Sequence, residues 1–391
     1  MNTRDIAVVG AGPSGLTVAL MLARRGRRVV VHERFGEPRP VGAGFLLQPT
    51  GLHVLDQLGL TGEVEALGQP VTRLFGRAAP GYRTVLDVRY ADLKQPRTAL
   101  GVHRAALFEV LYRACLAAGV DFESGFDAVG AEGGRLIDAT GRTTSQFDLV
   151  IDASGARSPI AEALEGPRQP LTFGALWATV PWANGAGFDE GALEQVYRRA
   201  DTMIGVLPSG RRPGSDQRLA TVFWSLRGRD HDAWRAAGLE AWKDTVLGFW
   251  PDMEPLLAAI TEPEDLTLAR YAHRTLRRPF ANRLAVIGDA AHSTSPQLGQ
   301  GVNMGLLDAQ ALADAMGRHR DLPTALDAYA RARRWHVRLY QALSLGFTPF
   351  YQADGRALPW VRDHVLGKVA RLPFAPRLLA ATVSGLLLDP R

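Results

Sequence analysis

The stretch DIAVVGAGPSGLTVALMLARRGRRVVVHERF, residues 5–35, constrains the fold more than any other part of the chain. It reads as strand, tight turn, helix, strand. Ile6 to Val9 are continuously apolar, as expected of a strand buried on both faces. Gly10, Gly12 and Gly15 then supply a G-x-G-x-x-G spacing. The first glycine permits the sharp turn, the second lets the backbone approach a pyrophosphate, and the third lets helix and sheet pack closely. The helix opens at Pro13 and Ser14, directing its unpaired N–H groups at that pyrophosphate. The second strand, Arg28 to His32, ends at Glu33, about twenty residues past the glycines, where a carboxylate meets ribose hydroxyls and repels a 2′-phosphate. These residues predict a bound dinucleotide and leave FAD and NAD both open.

A second stretch, RLAVIGDAAHSTSPQLGQGVNMGLLDAQALADAM at 283–316, repeats the strand-to-turn pattern. Leu284 to Ile287 form the strand, and Asp289 at its carboxyl end suits sugar or ribityl hydroxyls. Pro296 and Gly299 shape the loop. Beyond Gln300 a helix begins, whose first amides, near Gly301, Val302 and Asn303, are free to stabilise negative charge. Reduced flavin carries such charge along N1 and the C2 carbonyl. NAD needs no second loop of this kind, so the pair of sites points to FAD.

Together with GAGPSG, the Glu33-Arg34 pair, HRAAL at 103–107 and DLVIDASGARS, this loop resembles the FAD-dependent monooxygenases of the para-hydroxybenzoate hydroxylase fold. The resemblance covers residues 1–60, 100–165 and 275–340. It implies adenine-side roles for Gly10, Gly12, Gly15, Glu33 and Arg34. It implies contact of Arg104 with the FAD phosphates or ribityl chain, and of Asp289 with the ribityl chain. It implies that the loop from Pro296 to Asn303 lies against the flavin ring. The plainer readings are a surface charge for Arg104 and a turn cap for Asp289. The implied activity is insertion of one oxygen atom from O2 into an aromatic or polyketide-like molecule through a flavin C4a-hydroperoxide, with NADPH or NADH as electron donor.

One motif departs from that family's usual Gly-Ala-Asp-Gly. Here it reads Asp152-Ala153-Ser154-Gly155, so Asp152 is either a substitute acid or only a strand-end residue. This departure keeps an oxidase, reductase or halogenase on the same fold as the alternative, and a non-catalytic flavin-binding protein as a third reading. The absence of a W-x-W-x-I-P motif, and the presence of only three lysines, Lys94, Lys243 and Lys368, weigh against a halogenase.

The expected fold is α/β: a Rossmann-like FAD-binding domain from residues 1–70, 100–165 and 273–340, with an inserted substrate domain from 71–99 and 166–272. The inserted pieces TFGALWATV, TMIGVLPSG, RLATVFWSLR and DLTLARYAHRTL predict an antiparallel sheet covering the substrate side of the flavin. Trp177, Met203, Phe223 and Trp224 are its candidate pocket residues, with packing of the sheet on helices as the plainer reading. Residues 341–391 predict two amphipathic helices packed over the domain junction or against a second subunit. His53, His103, His273 and His292 are available for acid–base work, but the pattern names no catalytic base.

The 391 residues carry a formal charge of +5 and a pI near 9.6, which raises a nucleic-acid reading. The basic residues are scattered among acids, however, and RRGRR at 24–28 falls at a helix C-terminus, where cations offset the dipole. No nucleic-acid partner is expected. Cys115 is the only cysteine, which excludes an internal disulfide and a cysteine-based metal site. No secretion signal and no transmembrane run are evident, so a cytoplasmic monomer or homodimer is expected.

Overall fold

The computed structural model describes residues 4–40, 42–355, 357–366 and 372–388. The fingerprint strand Asp5–Val9 sits inside a six-stranded sheet. The order is Phe280–Ala281, Leu284–Val286, Leu149–Asp152, Asp5–Val9, Arg28–Glu33, Asp121–Ser124. All neighbours are parallel except the two-residue edge strand Phe280–Ala281. Ile6 and Val8 face one core with the helices Pro13–Ala23, Arg104–Ala117 and Gly301–Arg318. Ala7 and Val9 face a second core with Phe126, Phe147 and Ile160. Both faces are covered, which is why the strand is apolar without alternation.

Register then decides where the loops fall. Val9 pairs with Asp152, and Asp152 pairs with Val286. Three strands therefore end level, and the turns at Gly10, Ala153 and Gly288 share one edge of the sheet. The chain leaves Asp5–Val9 towards Arg28–Glu33 on one side and returns to Leu149–Asp152 on the other, so this edge is a topological switch point. The helix Gly301–Arg318 crosses Pro13–Ala23 closely, because a Cβ on Gly305 would lie 2.1 Å from Ser14 Oγ.

The second sheet has seven strands, in the order Thr267–His273, Gln169–Pro181, Arg218–Arg227, Thr202–Arg211, Ala192–Arg198, Arg73–Ala78, Arg83–Arg89. It is antiparallel with one exception, the parallel pairing of Arg73–Ala78 with Ala192–Arg198. These two strands come from separate stretches of chain, so no hairpin dictates their direction. Trp242, Val246, Phe249, Trp250 and Leu256, from the helical segment after the sheet's Arg218–Arg227 strand, pack on one face. A small antiparallel ribbon, Phe45–Leu47, Ala99–Val102 and Gln69–Val71, packs against the second sheet, where a Cβ on Gly101 would lie 1.9 Å from Pro208 O.

The helix Leu322–Tyr351 runs for 30 residues, straight through position 341, so no new element begins there. Pro349 lies in its last turn, where only one backbone bond is forfeited. The helix Ala375–Ser384 packs against it, with Tyr340 Oη donating to Thr382 O at 3.0 Å and His336 Nε2 3.0 Å from Gly385 O. The other expected tail helix is a short turn, Ala357–Val361, continued as a π-turn over Arg362–Leu366; residues 367–371 lie outside those described. Among the described residues no helix is long and apolar enough to cross a membrane, and no cluster of acids, His and Cys could hold a metal ion.

Candidate active site

At the edge shared by the three turns, the fingerprint glycines play unlike roles. Gly10 has φ +96°, a region side chains rarely adopt. A Cβ on Gly15 would lie only 2.0 Å from Gly10 O, so that glycine is demanded by the protein itself. A Cβ on Gly12 meets nothing within 4 Å. The space left open beside Gly12, at the N-terminus of Pro13–Ala23, suits a pyrophosphate. Ser14 turns its hydroxyl away, towards Gly288 and Gly305.

Glu33 is 8% exposed and accepts from Ala11 N at 2.8 Å and Phe35 N at 3.2 Å. A carboxylate has about four acceptor positions, so others remain for ribose hydroxyls. Arg34 is exposed at the rim, its guanidinium over the Phe35 ring at 4.7 Å.

Arg104 and Asp289 lie further along, at a cavity of about 940 Å³ between the two sheets. Arg104 is not a surface charge. Its Nε is buried without a partner, its guanidinium lies 5.3 Å from the Phe45 ring centroid, and burial lowers its pKa against the pull of Asp289. A half-buried cation whose Nε donor is enclosed and unmet fits an anionic ligand such as a phosphate. Asp289, on the short helix Asp289–His292, is exposed and lines the cavity. His103, before Arg104, accepts from Ala105 N at 3.2 Å; burial, together with Arg212 and Arg104, pushes its pKa down to about 4.

The loop expected to lie against a flavin ring divides. Pro296, Gly299, Gly301 and Val302 line the cavity. Gln300 and Asn303 do not: Gln300 Nε2 donates to Val383 O at 2.5 Å. Asn303, fully buried, accepts from Gln48 N at 2.9 Å and donates to Leu46 O at 3.2 Å. Both side chains brace the loop from behind. No motif in the sequence singles out Gln48. It lines the cavity, Tyr90 Oη donates to its Oε1 at 2.7 Å, and its buried Nε2 has no partner.

On the far wall the residues alternate. Trp177, Phe223, Met203, Gln195, Tyr197 and Tyr271 line the cavity, and Trp177 Nε1 donates to Tyr271 Oη at 2.8 Å. The Trp177 and Phe223 rings lie 4.9 Å apart. Trp224 is not a pocket residue. It faces the helices, against Trp242 and Phe249, because successive side chains of a strand point to opposite faces. The same alternation, applied across paired strands, is the signal that would have located Tyr271, Gln195 and Tyr197.

Asp152 is a strand-end residue. It is fully buried and accepts from Ser154 N and Oγ at 3.0 and 2.6 Å and from Ser158 Oγ at 2.5 Å. Burial raises its pKa, opposed by those hydrogen bonds. Both of its carboxylate oxygens are engaged in holding the DASG turn. His292 is also structural, paired with Asp308 at 2.5 Å. His53 lies on an outer helix face beside Gln57, and burial lowers His273.

Comparison with known proteins agrees with this geometry. The model of the FAD binding domain family matches residues 3–342. The chain is 30% identical over 389 residues to a 3-amino-4-hydroxybenzoate 2-monooxygenase of Streptomyces cremeus, covering 92% of this chain and 88% of that one. It is 29% identical over 380 residues to a kynurenine 3-monooxygenase of Xanthomonas axonopodis pv. citri, covering 88% and 79%. The solved 2-methyl-3-hydroxypyridine-5-carboxylic acid oxygenase shares the fold, with TM-score 0.80, 24% identity and 100% and 98% of the two chains covered. A fingerprint turn open to a pyrophosphate, a half-buried arginine with an unmet donor and a carboxylate facing one cavity belong together in this light: the chain is a member of the FAD binding domain family and an FAD-dependent monooxygenase.

Proposed function

We propose that the chain inserts one oxygen atom of O2 into an aromatic small molecule held in the cavity of about 940 Å³, with NADPH or NADH as electron donor. The observation that carries this reading is the arrangement of that cavity. Arg104, Asp289 and the Pro296–Val302 loop stand on one side, and the aromatic wall of Trp177, Phe223 and Tyr271 stands on the other. Gly10, Gly12, Pro13, Ser14, Gly15, Glu33 and Arg34 would hold the dinucleotide end. Arg104 would meet phosphate and Asp289 the ribityl hydroxyls.

When bound, FAD would accept the hydride of the nicotinamide and activate oxygen. The residues orient and shield. Backbone amides at the start of Gly301–Arg318 offer positive potential to developing negative charge. Gln48 Nε2 offers a fixed donor, because Tyr90 occupies the other end of its amide. The apolar wall excludes water. No side chain of the wall is poised as a strong base, which suits a reaction whose difficult step belongs to the cofactor.

The test is an anaerobic mix of FAD-loaded protein with NADPH and then NADH, followed by admission of isotopically labelled O2 with an aromatic substrate. Bleaching of the flavin and one labelled oxygen in the product are expected. A product without oxygen from O2 sinks the reading.

A further inference from the structure

Sixteen residues from all seven strands of the second sheet line the cavity, and among them is no Asp, Glu, Lys, Arg or His. From Thr267–His273 come Thr267, Ala269 and Tyr271; from Gln169–Pro181 come Ala175, Trp177, Thr179 and Val180. The middle strands add Phe223, Met203, Leu207, Leu193, Gln195 and Tyr197, and the last two add Leu74, Leu86 and Val88. The helical side continues the pattern with Phe347, Tyr351, Gln352, Leu379, Thr382 and Val383.

The charged lining residues are elsewhere. Arg104, His103 and Arg212 act on one another beside Gly42 to Phe45, on the flavin side. Asp265 touches the cavity edge, with its carboxylate accepting from Thr261 N and Glu262 N. Arg362 lies behind the wall, with its guanidinium over the Tyr197 ring at 4.8 Å and its Nε on Asp363 at 2.7 Å. A charge taken from water into such a place is poorly repaid unless a partner meets it.

Gln195 is the polar group placed to read a substrate. Tyr197 Oη donates to its Oε1 at 2.5 Å, which fixes the amide. Its Nε2 has only a long contact, 3.9 Å, to Met203 Sδ. That leaves an oriented N–H donor over a surface of rings and aliphatic chains.

We infer that the substrate is an uncharged aromatic molecule with an apolar extension, whose oxygen acceptor is read by Gln195 against a wall without charged side chains. The inference rests on the oxygen-inserting function proposed above, since it identifies the molecule that this cavity receives. An aromatic carboxylate finds no cation on this wall. An aliphatic extension finds Leu74, Leu86, Val88 and Leu193 at its far end.

A matched pair of isomers isolates the charge. Heptyl 4-hydroxybenzoate is neutral, and its isomer 4-heptyloxybenzoic acid loses a proton to become an anion at neutral pH. Each is titrated into the oxidised FAD-loaded protein without reductant, and binding is read from the perturbation of the flavin's visible absorbance. The ester is expected to bind about tenfold or more tightly than the carboxylate. Gln195→Leu should weaken the ester, and Gln195→Arg should shift the preference towards the carboxylate. Equal or tighter binding of the carboxylate to the unaltered protein overturns the inference, as does failure of both isomers to perturb the flavin. The readout needs no turnover, so a failure of oxygen insertion, measured separately with labelled O2, is distinguishable from a failure of charge selection.

Discussion

Asp308 and His292 are buried together, with Asp308 Oδ2 2.5 Å from His292 Nε2, while Asp308 Oδ1 accepts from Arg333 Nε at 2.7 Å. The same Oδ2 accepts from Gly288 N at 2.9 Å. One carboxylate on the helix Gly301–Arg318 thus ties the Gly288–His292 turn to the long helix Leu322–Tyr351, and so fixes the turn that presents Asp289.

This pair makes stability depend on pH. Burial disfavours a charged His292, but the charge and hydrogen bond of Asp308 outweigh it, so its pKa lies above the ordinary value of 6.5. A raised histidine pKa contributes stability that is complete below about 6.5 and lost as pH rises through the folded value. Thermal melts between about pH 6 and about pH 9 should therefore show a larger fall in Tm for the unaltered protein than for His292→Gln. At about pH 6 the variant should be weaker by about 3 kcal/mol, as for a broken buried pair. Parallel pH profiles would remove the charged pair from the account.

Two fingerprint glycines should respond oppositely to alanine. Gly15→Ala drives a methyl to within 2.0 Å of Gly10 O, which is backbone and cannot yield cheaply. The expected result is loss of soluble folded protein. Gly12→Ala meets nothing within 4 Å and keeps an ordinary φ of −74°. It should melt within a degree or two of the unaltered apoprotein yet bind FAD about tenfold or more weakly, because its methyl enters the space left for pyrophosphate. Unchanged FAD affinity in Gly12→Ala would relocate the pyrophosphate.

Asp289→Ala should behave similarly at the other end of the cofactor. Its carboxylate is exposed in the cavity, so removal costs the apoprotein little. FAD affinity, measured by fluorescence on titration, should fall about tenfold, roughly one or two charge-assisted hydrogen bonds. An unaffected affinity would exclude Asp289 from the flavin site.

Phe223 and Trp224 are neighbours with separate tasks. Trp224→Ala opens a hole beside Trp242 and Phe249 and should cost about 3–5 kcal/mol of stability. Phe223→Ala should cost less and instead weaken aromatic ligands in the cavity, since Phe223 pairs with Trp177 there. Denaturant melts and ligand titrations on both variants check this, and exchanged phenotypes would mean that the faces are reversed.

Asp152→Asn should leave the rate of flavin reduction by NAD(P)H unaltered for the FAD-bound fraction. The carboxylate is enclosed by Ser154 and Ser158, and its charge is already disfavoured by burial. A strongly slowed reduction at full FAD occupancy would make Asp152 the substitute acid that the altered motif left open.

Local sequence determined the parts of this protein that depend on neighbouring residues. Gly10, Gly12, Gly15 and Glu33 were legible because a turn, a close approach and a strand end are decided within some thirty residues. The loop from Pro296 to Val302 and the helix after it were legible for the same reason. Tertiary structure decided what depends on register and on burial by distant chain. Asp289 acts on Arg104 only because Leu284–Val286 of the six-stranded sheet delivers the one and the ribbon strand Ala99–Val102 delivers the other to the same cavity. Arg104 became a half-buried cation with an enclosed, unmet Nε only under Gly42 and Phe45. Trp224 was misread beside Phe223 because composition marks both as aromatic, whereas the pleat sends them to opposite faces. The uncharged wall was invisible in sequence, since its members lie on seven strands between residues 73 and 273 and only sheet pairing gathers one side chain in two from each. Hydrophobic pattern specifies that a strand has two faces, but which face meets the cofactor is set by the other half of the fold.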